Sequence, residues 1–135
     1  MHIFKNKDPM NLVVVSGIVL IDRKILLQKR KDGFYSTPGG KVEKEEDPLC
    51  AVIRELKEEI DITIDPKDVC LVHAASTKHP TGKFKIVISY LITKFSGTIK
   101  NIDKNCQDLR FFNISSLPEL VSEHVKISIK RIYEK

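Results

Sequence analysis

"YSTPGGKVEKEEDPLCAVIRELKEEIDI", residues 35–62, is the stretch whose reading decides the fold. Pro38-Gly39-Gly40 forces a tight corner, and Asp47-Pro48 supplies a helix N-cap followed by proline at the first helical position. Leu49, Val52, Ile53, Leu56 and Ile60 then recur at three- and four-residue steps, so they share one face of a helix predicted over residues 48–60. Glu55, Glu58 and Glu59 fall on the adjoining face. Between corner and helix the sequence leaves room for a short strand, "KVE".

Upstream, "NLVVVSGIVLI" (11–21) and "KILLQKR" (24–30) are apolar, β-branched runs separated by Asp22-Arg23, the pattern of a hairpin, with a loop at Lys31-Asp32-Gly33. Downstream, strands are expected at 69–76, 83–95 and 109–114, with Pro80-Thr81-Gly82 as a turn. The run 83–95 is apolar on both faces, as an interior strand covered on both sides would be. "SSLPEL" and "EHVKISIKRIYEK" predict a closing helix with Leu120, Val121, Val125, Ile127 and Ile129 available for packing. Strands, a helix, more strands and a final helix give an α/β class with a mixed sheet flanked by helices. At 135 residues and 41% hydrophobic, one domain over 1–135 can bury a core of its own.

Charge is divided along the chain. Lys41 to Asp61 carries a net −4, while the whole chain is +5, so the remainder is +9. Such a field suits a polyanion held between basic side chains and the metal ions that acids collect. Cys50, Cys70 and Cys106 match no disulfide or zinc spacing, and they read as buried, reduced thiols of a cytoplasmic protein. "MHIFKNKDPMNL" lacks the apolar run of a secretory signal, and nothing later approaches the roughly 18 to 20 apolar residues of a membrane span.

Helix positions i, i+3 and i+4 lie side by side, so Glu55, Glu58 and Glu59 aim three carboxylates at one small volume. Taken alone, such a triplet is more often a solvated surface, partly balanced here by Arg54 and Lys57. It also suits a hard divalent cation, which takes oxygen ligands alongside water and substrate phosphates. The full spacing separates the two: Gly40, five residues, Glu46, seven residues, Arg54-Glu55-Leu56, one residue, Glu58-Glu59, one residue, Asp61-Ile62. This resembles the Nudix hydrolase signature at eight of its nine specified positions. Asp61 stands where the family has glycine, and aspartate is among the few residues that tolerate a left-handed helix end.

The resemblance implies an α/β/α sandwich and metal-dependent hydrolysis of a pyrophosphate bond in a nucleoside diphosphate derivative. It assigns Glu55, Glu58 and Glu59 to the metal, Mg²⁺ with Mn²⁺ as the alternative, helped by the Gly39 carbonyl. Arg54 and Glu46 are expected to hold those carboxylates in place. Glu58 or Glu59 is the general base, and Asp103 and Asp108 are candidates for an acid from a later loop. Lys29 and Arg30, near the loop before the signature, are expected to grip phosphates, and Lys78 belongs to a second basic group with His73, His79 and Lys83. Phe34 and Tyr35 are candidates for stacking on a base, or for completing the core.

The short chain and layout favour a (d)NTP, cleaved to the monophosphate and pyrophosphate, with oxidised nucleotides in the same class. Nucleotide sugars, dinucleoside polyphosphates and a non-catalytic nucleotide sensor on the same fold are the alternatives. The partner is a small nucleotide, with no membrane and the chain a monomer or homodimer. A nucleic-acid-binding domain draws on pI ≈ 9.1 but lacks a lysine-rich stripe or an aromatic RNA-binding pattern.

Overall fold

A computed structural model of the protein describes residues 12–78 and 84–134. The chain runs β1 (Leu12–Ile21), β2 (Lys24–Lys29), β3 (Tyr35–Ser36), β4 (Gly39–Lys41), α1 (Pro48–Ile60), a single 3₁₀ turn (Pro66–Asp68), β5 (Val69–Lys78), β6 (Phe84–Ile92), β7 (Asp108–Asn113) and α2 (Glu123–Tyr133). Among the described residues these seven strands form one mixed sheet in the order β3-β2-β1-β6-β5, with β4 also on β1 and β7 also on β2.

Strand β1 organises the sheet because its ten residues serve three partners. Leu12 to Val19 run parallel to β6, Val14 to Ser16 pair with β4, and Leu20 and Ile21 pair with β2. The β1–β2 turn has both central residues left-handed, Asp22 at φ 51° and Arg23 at φ 61°, which matches the twist of the strands it joins. Alternate residues of β1 face opposite layers. Val15 and Val19 join Val52, Leu56 and Ile60 under α1, and Ile18 joins Ile25, Leu27, Val121 and Val125 under α2.

Helix α1 begins and ends as its sequence dictates. The Asp47 carboxylate accepts from the Leu49 N–H at 2.8 Å, and Pro48 occupies the first turn. Asp61 ends the helix in a left-handed conformation, φ 63° and ψ 34°, with its carboxylate 2.9 Å from Lys57 Nζ. The last helical carbonyls are then met from outside: Lys100 N–H donates to Ile60 O and Ile102 N–H to Glu59 O.

Four expectations need correction. The strand at the corner is Gly39–Lys41, since the glycine backbone itself pairs with Val15 and Ser16, leaving Val42 and Glu43 outside it. Cys50 and Cys70 are exposed and Cys106 half-buried, because Cys50 lies on the outer side of α1 and Cys70 on an edge strand. The closing helix starts only at Glu123. Pro118 lacks an N–H, and the segment after it pairs with β3 instead, Tyr35 N–H to Leu120 O at 2.8 Å and Ser122 N–H to Tyr35 O at 2.9 Å. Leu120 is consequently exposed.

Candidate active site

Arg54 is the hub. Its Nε and one terminal nitrogen form a two-pronged contact with the Glu46 carboxylate, at 2.7 and 2.9 Å. The other terminal nitrogen donates to Glu55 Oε2 at 3.0 Å and Glu58 Oε1 at 3.2 Å, and a bond to the Lys41 carbonyl at 3.1 Å ties the guanidinium to β4. Planar, two-pronged geometry of this kind is the strongest form an arginine–carboxylate pair takes. Arg54 and the Glu43 N–H, which donates to Glu46 Oε1, hold the Glu46 carboxyl down to about 2; Glu46 in turn raises Arg54 well above its ordinary value.

Arg54 also sorts the three signature glutamates. Glu58 leans outward onto it and stays exposed, whereas Glu55, also bonded to Arg54, is mostly covered and stands next to Glu59. Glu59 Oε1 accepts from the Gly39 N–H at 3.3 Å. Burial first, then the neighbouring Glu55 and Asp103, push the Glu59 carboxyl well above the ordinary carboxylate range. Among the described residues no three Asp, Glu, His or Cys side chains stand close enough to enclose an ion: Glu55 lies next to Glu59, and Arg54 holds Glu58 outward as well as bonding to Glu55.

The two glycines make room for this pair. A Cβ on Gly40 would stand 2.5 Å from the Glu55 carboxyl, and one on Gly39 would stand 2.0 Å from the Val15 carbonyl oxygen. The donors left facing one another are all oxygen, from Glu55, Glu59 and the nearby backbone, and two such carboxyls in a half-buried place need either a shared proton or a cation. That donor chemistry fits a hard divalent ion.

Two cavities open on either side of Gly39 and Arg30. The first, about 400 Å³, is lined by Lys29, Arg30, Lys31 and Asp32 together with Glu59 and Asp103. Asp103 owes its place to a loop anchored at both ends: Ile102 N–H to Glu59 O, and Gln107 N–H to Lys29 O. The Asn105 N–H donates to Asp103 Oδ1 at 2.9 Å and fixes the carboxylate. The second cavity, about 340 Å³, lies over β1 and β6 and is lined by Lys85, His124, Ser36 and Thr37 among others. His124 Nε2 sits 3.3 Å from both the Ser36 and Thr37 hydroxyls, and Thr37 also bonds to Ser16. Burial, then Lys85 and Arg30, push the His124 imidazole down to about 4.

The remaining candidates separate. Asp108, the other proposed loop acid, is taken by the Tyr35 hydroxyl at 2.5 Å and by Arg110 Nε at 2.8 Å. The Tyr35 ring is buried edge-on to Phe112, so it completes the core and is not free to stack on a ligand, while Phe34 is exposed. Lys78 closes β5 opposite Phe84; His79, the turn Pro80-Thr81-Gly82 and Lys83 lie outside the described residues. Sequence reasoning missed Lys85, His124 and Thr37. Only Thr37, beside the Pro-Gly-Gly corner, had a signal that could have found it.

A profile described as the NUDIX domain matches residues 10–132. The ADP-ribose pyrophosphatase of Methanocaldococcus jannaschii is 36% identical over 119 residues, 85% of this chain and 69% of that protein. The 8-oxo-dGTP diphosphatase of Proteus vulgaris is 30% identical over 83 residues, 60% of this chain and 70% of the other. Among solved structures, the MutT NUDIX hydrolase from Burkholderia pseudomallei superposes with a TM-score of 0.84 at 26% identity, over 92% of this chain and 99% of that one.

Proposed function

This chain belongs to the Nudix hydrolase family, enzymes that cleave a pyrophosphate bond in nucleotide derivatives, and on that premise we propose that it converts a (d)NTP, oxidised forms included, to the monophosphate and pyrophosphate. The observation that carries the reading is Glu59, beside Glu55, lining with Asp103 the same cavity as Lys29, Arg30 and Lys31. A row of cations beside carboxylates suits the charged end of a triphosphate, and Arg30 and Gly39, shared by both cavities, mark where the scissile bridge lies. The nucleoside then extends into the second cavity.

Family members generally need a divalent metal. Glu55, Glu58 and Glu59, with the Gly39 carbonyl, would hold Mg²⁺, or Mn²⁺ in its place, and the ion would offset phosphate charge and acidify the attacking water. Arg54, locked by Glu46, holds the rotamer of Glu55, whereas Glu58 would have to swing off Arg54 to join the ion. Of the two candidate bases, Glu59 faces the cavity and Glu58 leans out onto Arg54, which favours Glu59 as the acceptor of the water proton. Three unbridged thiols and a nucleotide substrate suit the cytoplasm.

The 36% identity to an ADP-ribose pyrophosphatase favours a second reading, with a nucleotide sugar as substrate. Product analysis separates the two: pyrophosphate released from a triphosphate in the presence of Mg²⁺ supports the first, and AMP with ribose phosphate from ADP-ribose supports the second. Either activity should vanish in Glu59→Gln while its circular dichroism stays that of the wild type. A folded protein that binds nucleotide and releases no product from any of them would make the chain a sensor, and the catalytic reading would be wrong.

A further inference from the structure

We propose that the second cavity selects nucleotides whose base carries an exocyclic carbonyl, 6-oxopurines and 4-oxopyrimidines, over those carrying an exocyclic amine. The inference rests on the reading above that a nucleoside triphosphate lies with its phosphates at Arg30 and Gly39. From that point the cavity over β1 and β6 is the space left for the base.

Its walls are of two kinds. Val14 and Val87 are paired neighbours on one face of the sheet, and with Leu12 they give an apolar floor against which the plane of a base can lie. A phosphate group gains nothing from such a floor. The charged side chains of the rim are all cations, Arg30, Lys41 and Lys85, with His124 and the hydroxyls of Ser16, Ser36 and Thr37 beside them and no carboxylate among the described residues that line the space. Lys85 is opposite Leu12 in the β1–β6 register, so its ammonium stands at the same end as the apolar floor.

The hydroxyls there are already engaged with one another. Ser16 is bonded to Thr37, and both Ser36 and Thr37 reach His124 Nε2 at 3.3 Å. A neutral imidazole has one accepting and one donating nitrogen. Burial and the flanking cations keep the ring neutral at pH 7. A carbonyl oxygen turned toward Arg30, Lys41 and Lys85 finds cationic donors, whereas an amine turned toward them brings N–H groups to donors and leaves both unpaired, the stronger form of discrimination.

The expected discrimination is about tenfold to hundredfold in kcat/KM, the value of one hydrogen bond from a charged or oriented donor. ITP and ATP differ at the edge in question, as do UTP and CTP. With the full chain and Mg²⁺, ITP should exceed ATP and UTP should exceed CTP, mainly through KM, and IMP should bind more tightly than AMP by calorimetry. Lys85→Gln offers an acceptor where wild type has donors alone, and His124→Phe removes the imidazole N–H, so at least one of them should bring the ITP to ATP ratio close to one. Circular dichroism checks that both variants fold. Equal kcat/KM for ITP and ATP, the result if these cations serve phosphate alone, would overturn the proposal, as would a preference untouched in both variants. If no triphosphate is cleaved, the proposed reaction fails separately, and IMP against AMP binding still decides the base preference: tighter IMP supports it, and equal or tighter AMP refutes it.

Discussion

Replacing Gly40 by alanine should separate chemistry from stability. The new Cβ would be built 2.5 Å from Glu55 Cδ and Oε1, where ordinary contact begins at 3.4 Å, so the carboxyl must retreat by about 0.9 Å. The clashing atoms are the far end of a flexible side chain, and Gly40 is not among the residues with positive φ, so the backbone accepts alanine. The fold should therefore be nearly unaffected, within about 1 kcal/mol, since the lost freedom of the unfolded chain offsets part of the crowding. Activity should not be spared. A displacement near 1 Å at a group that positions reactants lowers the rate on the order of 100-fold, and the Mg²⁺ concentration for half-maximal activity should rise with it. Gly39→Ala provides the contrast, because its Cβ would stand 2.0 Å from the Val15 backbone oxygen, which cannot swing aside, and β4 would have to leave β1. That variant should lose several kcal/mol by urea unfolding, in the range of severe core defects. Steady-state kinetics against Mg²⁺, together with urea midpoints, give both readings. Wild-type kcat/KM and metal dependence in Gly40→Ala would refute the argument that Glu55 must stand where it does; an unfolded Gly40→Ala would refute the packing argument.

Three further outcomes follow from the site. Glu46 has a folded-state value of about 2, below the usual carboxylate, so its bond to Arg54 contributes stability above about pH 4.5 that fades as pH falls toward 2. Urea midpoints of wild type and Glu46→Gln should differ at pH 7 and converge near pH 2. His124 is a base held near 4, so between about pH 6.5 and 4 the unfolded chain binds a proton that the folded one refuses, and stability drops as pH falls through that window. His124→Gln should show a shallower loss over the same range. Asp103→Asn should lower kcat at least tenfold, whereas Asp108→Asn should lower stability by about 1 to 3 kcal/mol through the Tyr35 and Arg110 contacts and leave kcat within threefold, measured on the folded protein.

How legible these features were depends on the distance along the chain over which each is set. Asp47-Pro48, the apolar stripe of α1 and the left-handed Asp61 are fixed by contacts within four residues, and all were readable in advance. Glu46 and Arg54 are eight residues apart; the family resemblance marked both as supports for the other carboxylates, and their bond to each other is seen only in the fold. What could not be read is that Arg54 bonds to Glu55 and Glu58 together and so keeps Glu58 turned out, because side-chain rotamers answer to the partners that the fold brings near in space. The same holds for Asp103 and Asp108: both occur in the same connection, and only the anchoring of that loop on Glu59 O and Lys29 O directs the first into the cavity while Tyr35 captures the second.

From its own residues the chain prescribes a capped acidic helix behind a glycine corner, together with the carboxylates and arginine that we propose form a pyrophosphate-cleaving centre. Strand order and layer packing decide the rest. Arg30, Lys85 and His124 meet around one cavity because β6 runs parallel to β1 and α2 crosses above them, and no periodicity records a meeting of residues so far apart in sequence. Local hydrogen bonding and helical pitch act over a few residues, whereas the shape of a binding space is set by which surfaces the whole core can bury together.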